Sequence, residues 1–119
     1  MPAPSKKDLE ELIGQLQMNN QQLQNVMIQK QTLMIQTKEI EKALEQLEKA
    51  SDDVYKSVGP ILVKTPKEDI KKELAESKED IDLKIQSLDK QEAKIKERIK
   101  KSQDMFKGMI PEEEPGEGG

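Results

Sequence analysis

The amino-acid sequence predicts a mainly α fold, in which two long antiparallel coiled-coil helices are joined by one β-hairpin. Apolar residues recur with coiled-coil spacing in both halves of the 119-residue chain, and a short β-branched stretch interrupts that spacing near the middle. The composition agrees, because only 33% of the residues are hydrophobic and 37% are charged. Such a chain suits one narrow buried stripe better than a rounded core.

The first helix is predicted within residues 1–53. Steps of three and four residues from Leu9 to Val54 meet an apolar side chain at ten of fourteen positions, which is a strong coiled-coil signal. We call these positions, and their counterparts in the second helix, the seam. Ser5, followed three residues later by Asp8, predicts an N-cap. The polar seam residues are Asn19, Lys30, Thr37 and Ser51.

Residues 54–64 predict the β-hairpin. Two short β-branched runs flank Gly59 and Pro60, a pair typical of a turn, and the second run is apolar on both faces. A lone two-stranded hairpin is only marginally stable in water, and the chain offers no further strands. We therefore expect other chains to complete the sheet. The hairpin residues assigned to this contact are Val54, Tyr55, Val58, Gly59, Ile61, Leu62 and Val63.

The second helix is predicted within residues 65–109. Eight of its eleven seam positions are apolar, again with a 3.5-residue repeat. A capping box that begins at Thr65, with Pro66 as the first helical residue, predicts its start. Gly108, followed by Pro111, predicts its end.

Folding the chain back at the hairpin makes the two helices antiparallel neighbours. A register that pairs Leu44 with Leu74 keeps seam positions opposite each other along both helices. The polar seam residues then fall in adjacent layers, with Lys30 one layer from Glu92. We expect such polar pairs to fix the register at some cost in stability.

The missing residue types limit the chemistry. The chain has no His and no Cys, which removes imidazole bases, thiolate nucleophiles and the usual zinc ligands. Two helices also offer no pocket for a carboxylate pair, so the sequence predicts a protein that is not an enzyme and needs no cofactor. No apolar run reaches the roughly 18 residues of a membrane span. We therefore predict a cytoplasmic protein without a membrane partner.

The net charge of −4 lies in residues 110–119, a Pro/Gly/Glu segment predicted to be a disordered acidic tail. This segment either keeps the protein soluble or docks on a partner. The rest of the chain carries balanced charge, which disfavours a nucleic-acid partner. The one basic cluster is predicted to be a solvated helix face, and it contains Lys94, Lys96, Arg98, Lys100 and Lys101.

Residues 12–37 of the first helix are almost free of charge, because Lys30 is their only charged residue. We call this segment the uncharged stretch. Gln and Asn dominate it, and Met and Ile occur outside the seam. Two interpretations remain open: a wider stripe that packs on a neighbouring helix, or a soft surface for partners without fixed shape.

The hairpin residues 54–64, the Gln-rich first helix and residues 85–92 of the second helix resemble the β subunit of prefoldin, the archaeal-type hexameric chaperone. The resemblance covers about residues 8–107, and a single hairpin is typical of the β class. It implies that two α and four β subunits assemble through an intersubunit β-barrel built from their hairpins. Coiled-coil arms would then hold unfolded polypeptides, without ATP, and deliver them to a group II chaperonin.

Within that resemblance, both chain ends would meet at the tip of an arm, where a coiled coil frays and exposes apolar groups. The acidic residues Glu112, Glu113 and Glu114 would be a chaperonin contact. The alternative is a structural coiled-coil protein for oligomerisation or tethering, in which the apolar end residues only close the coiled coil. The candidate client-binding residues are Leu9, Leu12, Ile13, Leu16, Ile99, Met105, Phe106, Met109 and Ile110.

Overall fold

The structure is a computed structural model, and it describes residues 5–109. It confirms the predicted fold class, with two long helices and an antiparallel two-stranded hairpin between them. The elements follow in the order α1 (Lys6–Lys49), β1 (Val54–Val58), β2 (Ile61–Thr65) and α2 (Lys67–Met109).

The chain divides into two compact units, which are described separately. The hairpin unit contains residues 28–89, and therefore the end of α1, both strands and the start of α2. The terminal unit contains, among the described residues, Ser5, positions 6–27 of α1 and positions 90–109 of α2.

The start of α1 has the predicted cap. The backbone N–H of Asp8 donates to Ser5 Oγ at 3.1 Å, and the Ser5 N–H donates to Asp8 Oδ2 at 3.1 Å. The Leu9 N–H then makes the first helical hydrogen bond to the Ser5 carbonyl. Two N–H groups that a helix start would otherwise leave unpaired are thus satisfied by side chains.

The end of α1 comes earlier than the seam suggested. The helix stops at Lys49, and Val54, which we counted in the seam, begins β1 instead. The intervening residues 51–53 are Ser, Asp and Asp, whose side chains compete for backbone hydrogen bonds and disfavour a helix. The Lys67 ammonium donates to the carbonyls of Glu48 and Ala50 at 3.4 and 3.3 Å, so a residue of α2 caps the end of α1.

The hairpin has a two-residue turn at Gly59 and Pro60. Gly59 has φ of +56°, which a type II′ turn requires at its first central position and which glycine adopts without a Cβ penalty. The φ of proline, fixed near −65°, suits the second position. The register pairs Val54 with Thr65 and Val58 with Ile61.

The predicted capping box at the start of α2 is wrong in detail. The helix begins at Lys67, and the Pro66 carbonyl accepts the first hydrogen bonds, from Asp69 and Ile70 at 3.1 and 3.2 Å. The Thr65 hydroxyl donates to the Val63 carbonyl at 3.0 Å. Thr65 lies in β2, so pairing in the hairpin decides its orientation.

Inside the helices, every predicted seam position is buried or half-buried, which confirms the coiled-coil pattern. In the hairpin unit the best-covered side chains are Leu47, Ile81 and Leu88. Burying one such side chain contributes about 1.5–3 kcal/mol, so each unit is held by a series of modest layers rather than one dominant core. In the terminal unit the buried set is Leu12, Val26, Ile95, Ile99 and the polar Ser102.

Ion pairs in the hairpin unit give the register directly. Glu48 Oε1 lies 2.6 Å from Lys71 Nζ, and Glu41 Oε1 lies 3.3 Å from Lys78 Nζ. Both pairs fit the predicted layers, because Glu48 and Glu41 each directly follow a seam residue that the predicted register places opposite Lys71 or Lys78. Lys30 Nζ binds Asp89 Oδ1 at 2.6 Å, and Asp89 precedes the predicted neighbour, Glu92, by one helical turn.

Candidate functional site

The hairpin presents its apolar side chains to solvent. Leu62 is 71% exposed, and Val63, opposite Lys56 in the register, is 41% exposed. Because successive residues point to opposite faces, the apolar surface covers both sides of the two-stranded sheet. Exposed apolar surface of this kind marks an interaction site. The exposed hairpin residues are Tyr55, Val58, Ile61, Leu62 and Val63.

The hairpin also has backbone groups available for pairing. Each strand pairs with the other along one edge, and the structure describes no further strand in residues 5–109. The outer edges of β1 and β2 can therefore accept strands from other chains. Of the two remaining predicted contact residues, Val54 is half-buried and Gly59 lies in the turn. All seven predicted contact residues thus lie in the hairpin.

Charged pairs hold the base of the hairpin. Lys56 Nζ on β1 lies 3.0 and 2.8 Å from the two carboxylate oxygens of Glu73 on α2. Lys64 Nζ on β2 lies 3.2 Å from Asp53 Oδ2, just before β1. All four side chains are substantially exposed, and such pairs contribute about 0–1 kcal/mol each. The first pair joins β1 to α2, and the second joins β2 to the residue that precedes β1.

The pair between Glu48 and Lys71 perturbs both titrations. The hydrogen bond and charge of Lys71 lower the pKa of the Glu48 carboxyl, with a smaller contribution from Lys67. In return, the hydrogen bond and charge of Glu48 raise the pKa of the Lys71 ammonium, with help from Glu68. This pair joins the last turn of α1 to the first turns of α2.

The predicted client-binding residues are only partly accessible. Leu12 and Ile99 are buried in the seam, whereas Ile13 is 38% exposed and Met105 is 56% exposed. Ile110 and the predicted chaperonin contact, residues 112–114, lie outside the described residues. The half-buried members are Leu9, Leu16, Phe106 and Met109.

The ends of the helices nevertheless form a shallow groove. Asp8, Glu11 and Gln15 on α1 line it together with the seam residue Leu12. Met105 and Met109 line it from α2. The groove therefore places flexible thioether side chains beside a carboxylate rim, which suits an adaptable apolar contact.

More apolar surface lies along the helices. Met18 and Met27 in the terminal unit are exposed, as are Ile28, Met34 and Ile35 in the hairpin unit. All five belong to the uncharged stretch of α1. Leu83 on α2 is 58% exposed, and the sequence analysis missed it because in the second helix only the seam positions were considered. A large apolar side chain at a position outside the seam was the signal that could have revealed it.

All five residues of the basic cluster are exposed, as predicted for a solvated face, and three of them line grooves. Two neighbouring grooves of the terminal unit share Arg98, and Lys94 lines one while Lys101 lines the other. The α1 side of both grooves is uncharged, and it consists of Gln15, Met18, Asn19, Gln22, Asn25 and Val26.

The described residues contain no cluster of carboxylates arranged to hold a metal ion. Neither α1 nor α2 has a stretch apolar enough to cross a membrane.

A coiled coil that carries an exposed hairpin between its two helices defines a class of helical protein that presents strands for pairing. Comparison of the sequence with protein families identifies this class, because the family model of the prefoldin subunit matches residues 10–113. The chain belongs to the prefoldin family, which confirms the resemblance seen in the sequence.

Individual relatives agree with the family match. The prefoldin subunit beta of Archaeoglobus fulgidus is 41% identical over 104 residues, which span 86% of this chain and 90% of the relative. The prefoldin subunit beta of Pyrococcus furiosus is 43% identical over 94 residues, 77% of this chain and 80% of the relative.

A solved structure supports the same assignment. The crystal structure of the prefoldin beta subunit from Thermococcus strain KS-1 superposes with a TM-score of 0.83 at 32% sequence identity. The match covers 94% of this chain and 100% of that chain. The β-class prediction is therefore confirmed at the level of sequence and fold, and the family is one of chaperones.

Proposed function

We propose that this chain is the β-type subunit of an ATP-independent chaperone, a holdase that captures unfolded polypeptides between coiled-coil arms and passes them to a group II chaperonin. The observation that carries the proposal is the apolar hairpin, exposed on both faces, in a chain of the prefoldin family. A monomer would leave that surface in water, whereas a subunit buries it against other hairpins.

The assembly in this proposal contains two α and four β subunits. Residues 54–64 of each β chain form the oligomerisation platform, where hairpins from different subunits pair along their open edges. Residues 1–53 and 65–109 supply the coiled-coil arms. Each arm buries one seam, between its own two helices. The subunits are therefore joined at the platform.

Client binding takes place where the two chain ends meet. Ile13 and Met105 are the predicted contacts that are already exposed, and Met105 lines the groove together with Met109. Fraying of the last layers would add the half-buried residues, such as Leu9 and Phe106, to the same surface. Several such surfaces in one assembly give avidity without demanding a fixed client sequence.

Residues 112–114 supply the contact to the chaperonin in this proposal, through attraction between three glutamates and a basic surface. Such a contact weakens as salt is raised, because exposed charges are screened over about 8 Å at physiological ionic strength. In this proposal the protein works in the cytoplasm, alongside that chaperonin.

Truncation of the chain ends tests the holdase function. The variant lacks residues 1–16 and 105–119 and is assembled with an α-class subunit. We expect it to form a complete assembly by native mass spectrometry, because the hairpin is intact, and to lose most of its suppression of client aggregation. A variant that lacks only residues 111–119 is the matched control and should still suppress aggregation.

Two outcomes would contradict the proposal. Undiminished aggregation suppression by the fully truncated assembly would remove the chain ends from client binding. A monomer or simple dimer, with and without the α-class subunit, would favour the alternative of a structural tether.

A further inference from the structure

The terminal unit carries a local excess of positive charge. Its residues 12–27 and 90–103 contain six cations and only two carboxylates, although residues 1–109 as a whole are balanced. Both carboxylates are engaged on their own helix, since Glu92 binds Lys96 at 2.8 Å and Glu97 binds Lys101 at 3.3 Å. Among the described residues, Lys94 and Arg98 make no ion pair, so their charges face the solvent in the grooves.

Arg98 occupies the centre of this surface. It is the single arginine of the chain, and it lines both neighbouring grooves of the terminal unit. A guanidinium binds a carboxylate with two parallel hydrogen bonds, which a lysine cannot do. Four of the six α1 residues on the opposite wall are Gln or Asn, whose amides can bind a peptide backbone without adding charge. We call this surface the cationic groove.

The sequence supplies one segment of the opposite charge. Residues 111–119, outside the described part of the chain, contain four glutamates and no Lys or Arg. They begin two residues after Met109, the last residue of α2, which is the helix that carries Lys94, Arg98 and Lys101. From Met109 back to Arg98 the helix rises about 17 Å, at about 1.5 Å per residue. Eight extended residues from Met109 to Glu117 span up to about 27 Å, which exceeds that distance.

We propose that the cationic groove binds the acidic segment 111–119 of its own chain, with a glutamate on Arg98. Tethering raises the effective concentration of the segment to about the millimolar range, so a weak charged contact is populated without a second molecule. The contact would cover Met18 and would hold residues 112–114 away from a basic partner. In that last respect it rests on the proposed function, because a chaperonin surface would have to compete with the groove for the same glutamates.

Zero-length cross-linking on the full-length assembly tests the contact. A carbodiimide joins a carboxylate to an amine only where the two touch, and mass spectrometry of the peptides identifies the residues. A mixture of unlabelled and ¹⁵N-labelled chains separates links within one chain from links between chains. We expect glutamates 112–117 to join Lys94 and Lys101 of the same chain.

Two substitutions provide the matched pair. Arg98→Gln should lower the yield of these links by about fivefold, the upper end for loss of one exposed ion pair, while Arg98→Lys should retain part of it. Lys100→Gln removes the same charge two residues away, outside both grooves, and should leave the yield unchanged. At about 1 M salt, where the Debye length is about 3 Å, the links should disappear.

Three results would overturn the proposal. Links mainly between labelled and unlabelled chains would make another copy the occupant. Links spread evenly over all lysines, or a yield unchanged in Arg98→Gln, would show that the groove does not select the segment. None of these results depends on client binding, so failure of this contact is distinguishable from failure of the holdase function.

Discussion

The two units of the chain use charge in opposite ways. In the hairpin unit, ion pairs join different elements: Glu48 to Lys71, and Lys56 to Glu73, connect α1 or β1 to α2. In the terminal unit, the pairs Glu92–Lys96 and Glu97–Lys101 each lie within α2. Charge therefore links different elements in the hairpin unit, whereas these two pairs of the terminal unit support α2 itself.

This difference separates a part of the molecule that must keep its geometry from a part that can adapt. A platform hairpin needs a defined orientation, and the charged pairs at its base favour one orientation. The terminal unit depends on apolar layers and leaves its cations and amides for contacts outside the seam. The predictions below test this separation, from the largest expected effect to the smallest.

Leu62→Glu should abolish assembly with an α-class subunit, because it places a charge on the most exposed apolar position of the hairpin. Native mass spectrometry reads the loss directly. Leu83→Glu is the matched control, since Leu83 is also exposed but lies on α2, and it should assemble normally. Assembly of both variants to the same extent would show that the hairpin faces are not buried in the oligomer.

Ile99→Ala should destabilise the terminal unit by about 2–5 kcal/mol, the usual cost of removing a buried aliphatic side chain. Hydrogen exchange of the α2 amides in the assembled protein measures the effect locally. Exchange should accelerate around Ile99 and remain slow around Leu88, if the two units open independently. Lys100→Ala, at an exposed neighbouring position, should change little, and equal acceleration in both units would contradict the separation.

Ser5→Ala should cost about 0.5–2 kcal/mol of local helix stability, because it removes the hydroxyl that accepts the Asp8 N–H. Faster exchange in the first turns of α1 is the expected signal, with no change near Lys49. Ser5→Asp retains a capping acceptor and should behave like the natural sequence. Equal exchange in Ser5→Ala and the natural sequence would mean that the cap does not stabilise this end.

The Glu48–Lys71 pair should make a small pH-dependent contribution to stability. The pKa of Glu48 is lowered, so its contribution is present above the ordinary carboxyl pKa and is lost as pH falls through the folded value. The pKa of Lys71 is raised, so its contribution is present below the ordinary lysine pKa and is lost as pH rises through the folded value. The pair therefore supports the fold over the neutral range between these limits.

Thermal melts of the assembled protein across pH can measure this contribution. The double variant Glu48→Gln, Lys71→Met should have a flatter dependence of Tm on pH than the natural sequence at both ends of the range. Glu45→Gln is the control, because its partner Lys49 lies at 3.6 Å on the same helix and joins no second element. Identical pH profiles for the double variant and the natural sequence would show that the pair is energetically silent.

The repeating features of the fold could be predicted from the sequence because they are local. The heptads specify which side chains α1 and α2 bury, and Gly59 with Pro60 specifies the turn. The end of α1 and the start of α2 could not be located as well. Lys67 caps α1 from far along the chain, and pairing in β2 decides the orientation of Thr65.

The candidate surfaces divide in the same way. The hairpin contacts follow from two β-branched strands whose outer edges meet no further strand in residues 5–109, and most of these contact residues are exposed. The cationic groove depends on which residues of α1 lie beside Arg98 in three dimensions, and a single helix pattern does not contain that information. Leu12 and Ile99 show a different failure. They were predicted to be accessible because they lie near the chain ends, but both are buried in the seam.

The Lys67 cap on the carbonyls of Glu48 and Ala50 also constrains the order of folding. The donor and acceptors are 17 and 19 residues apart, with the whole hairpin between them. The last turn of α1 therefore acquires its partner only when the hairpin has closed and α2 has started. We therefore expect the last turn of α1 and the closure of the hairpin to form together during folding.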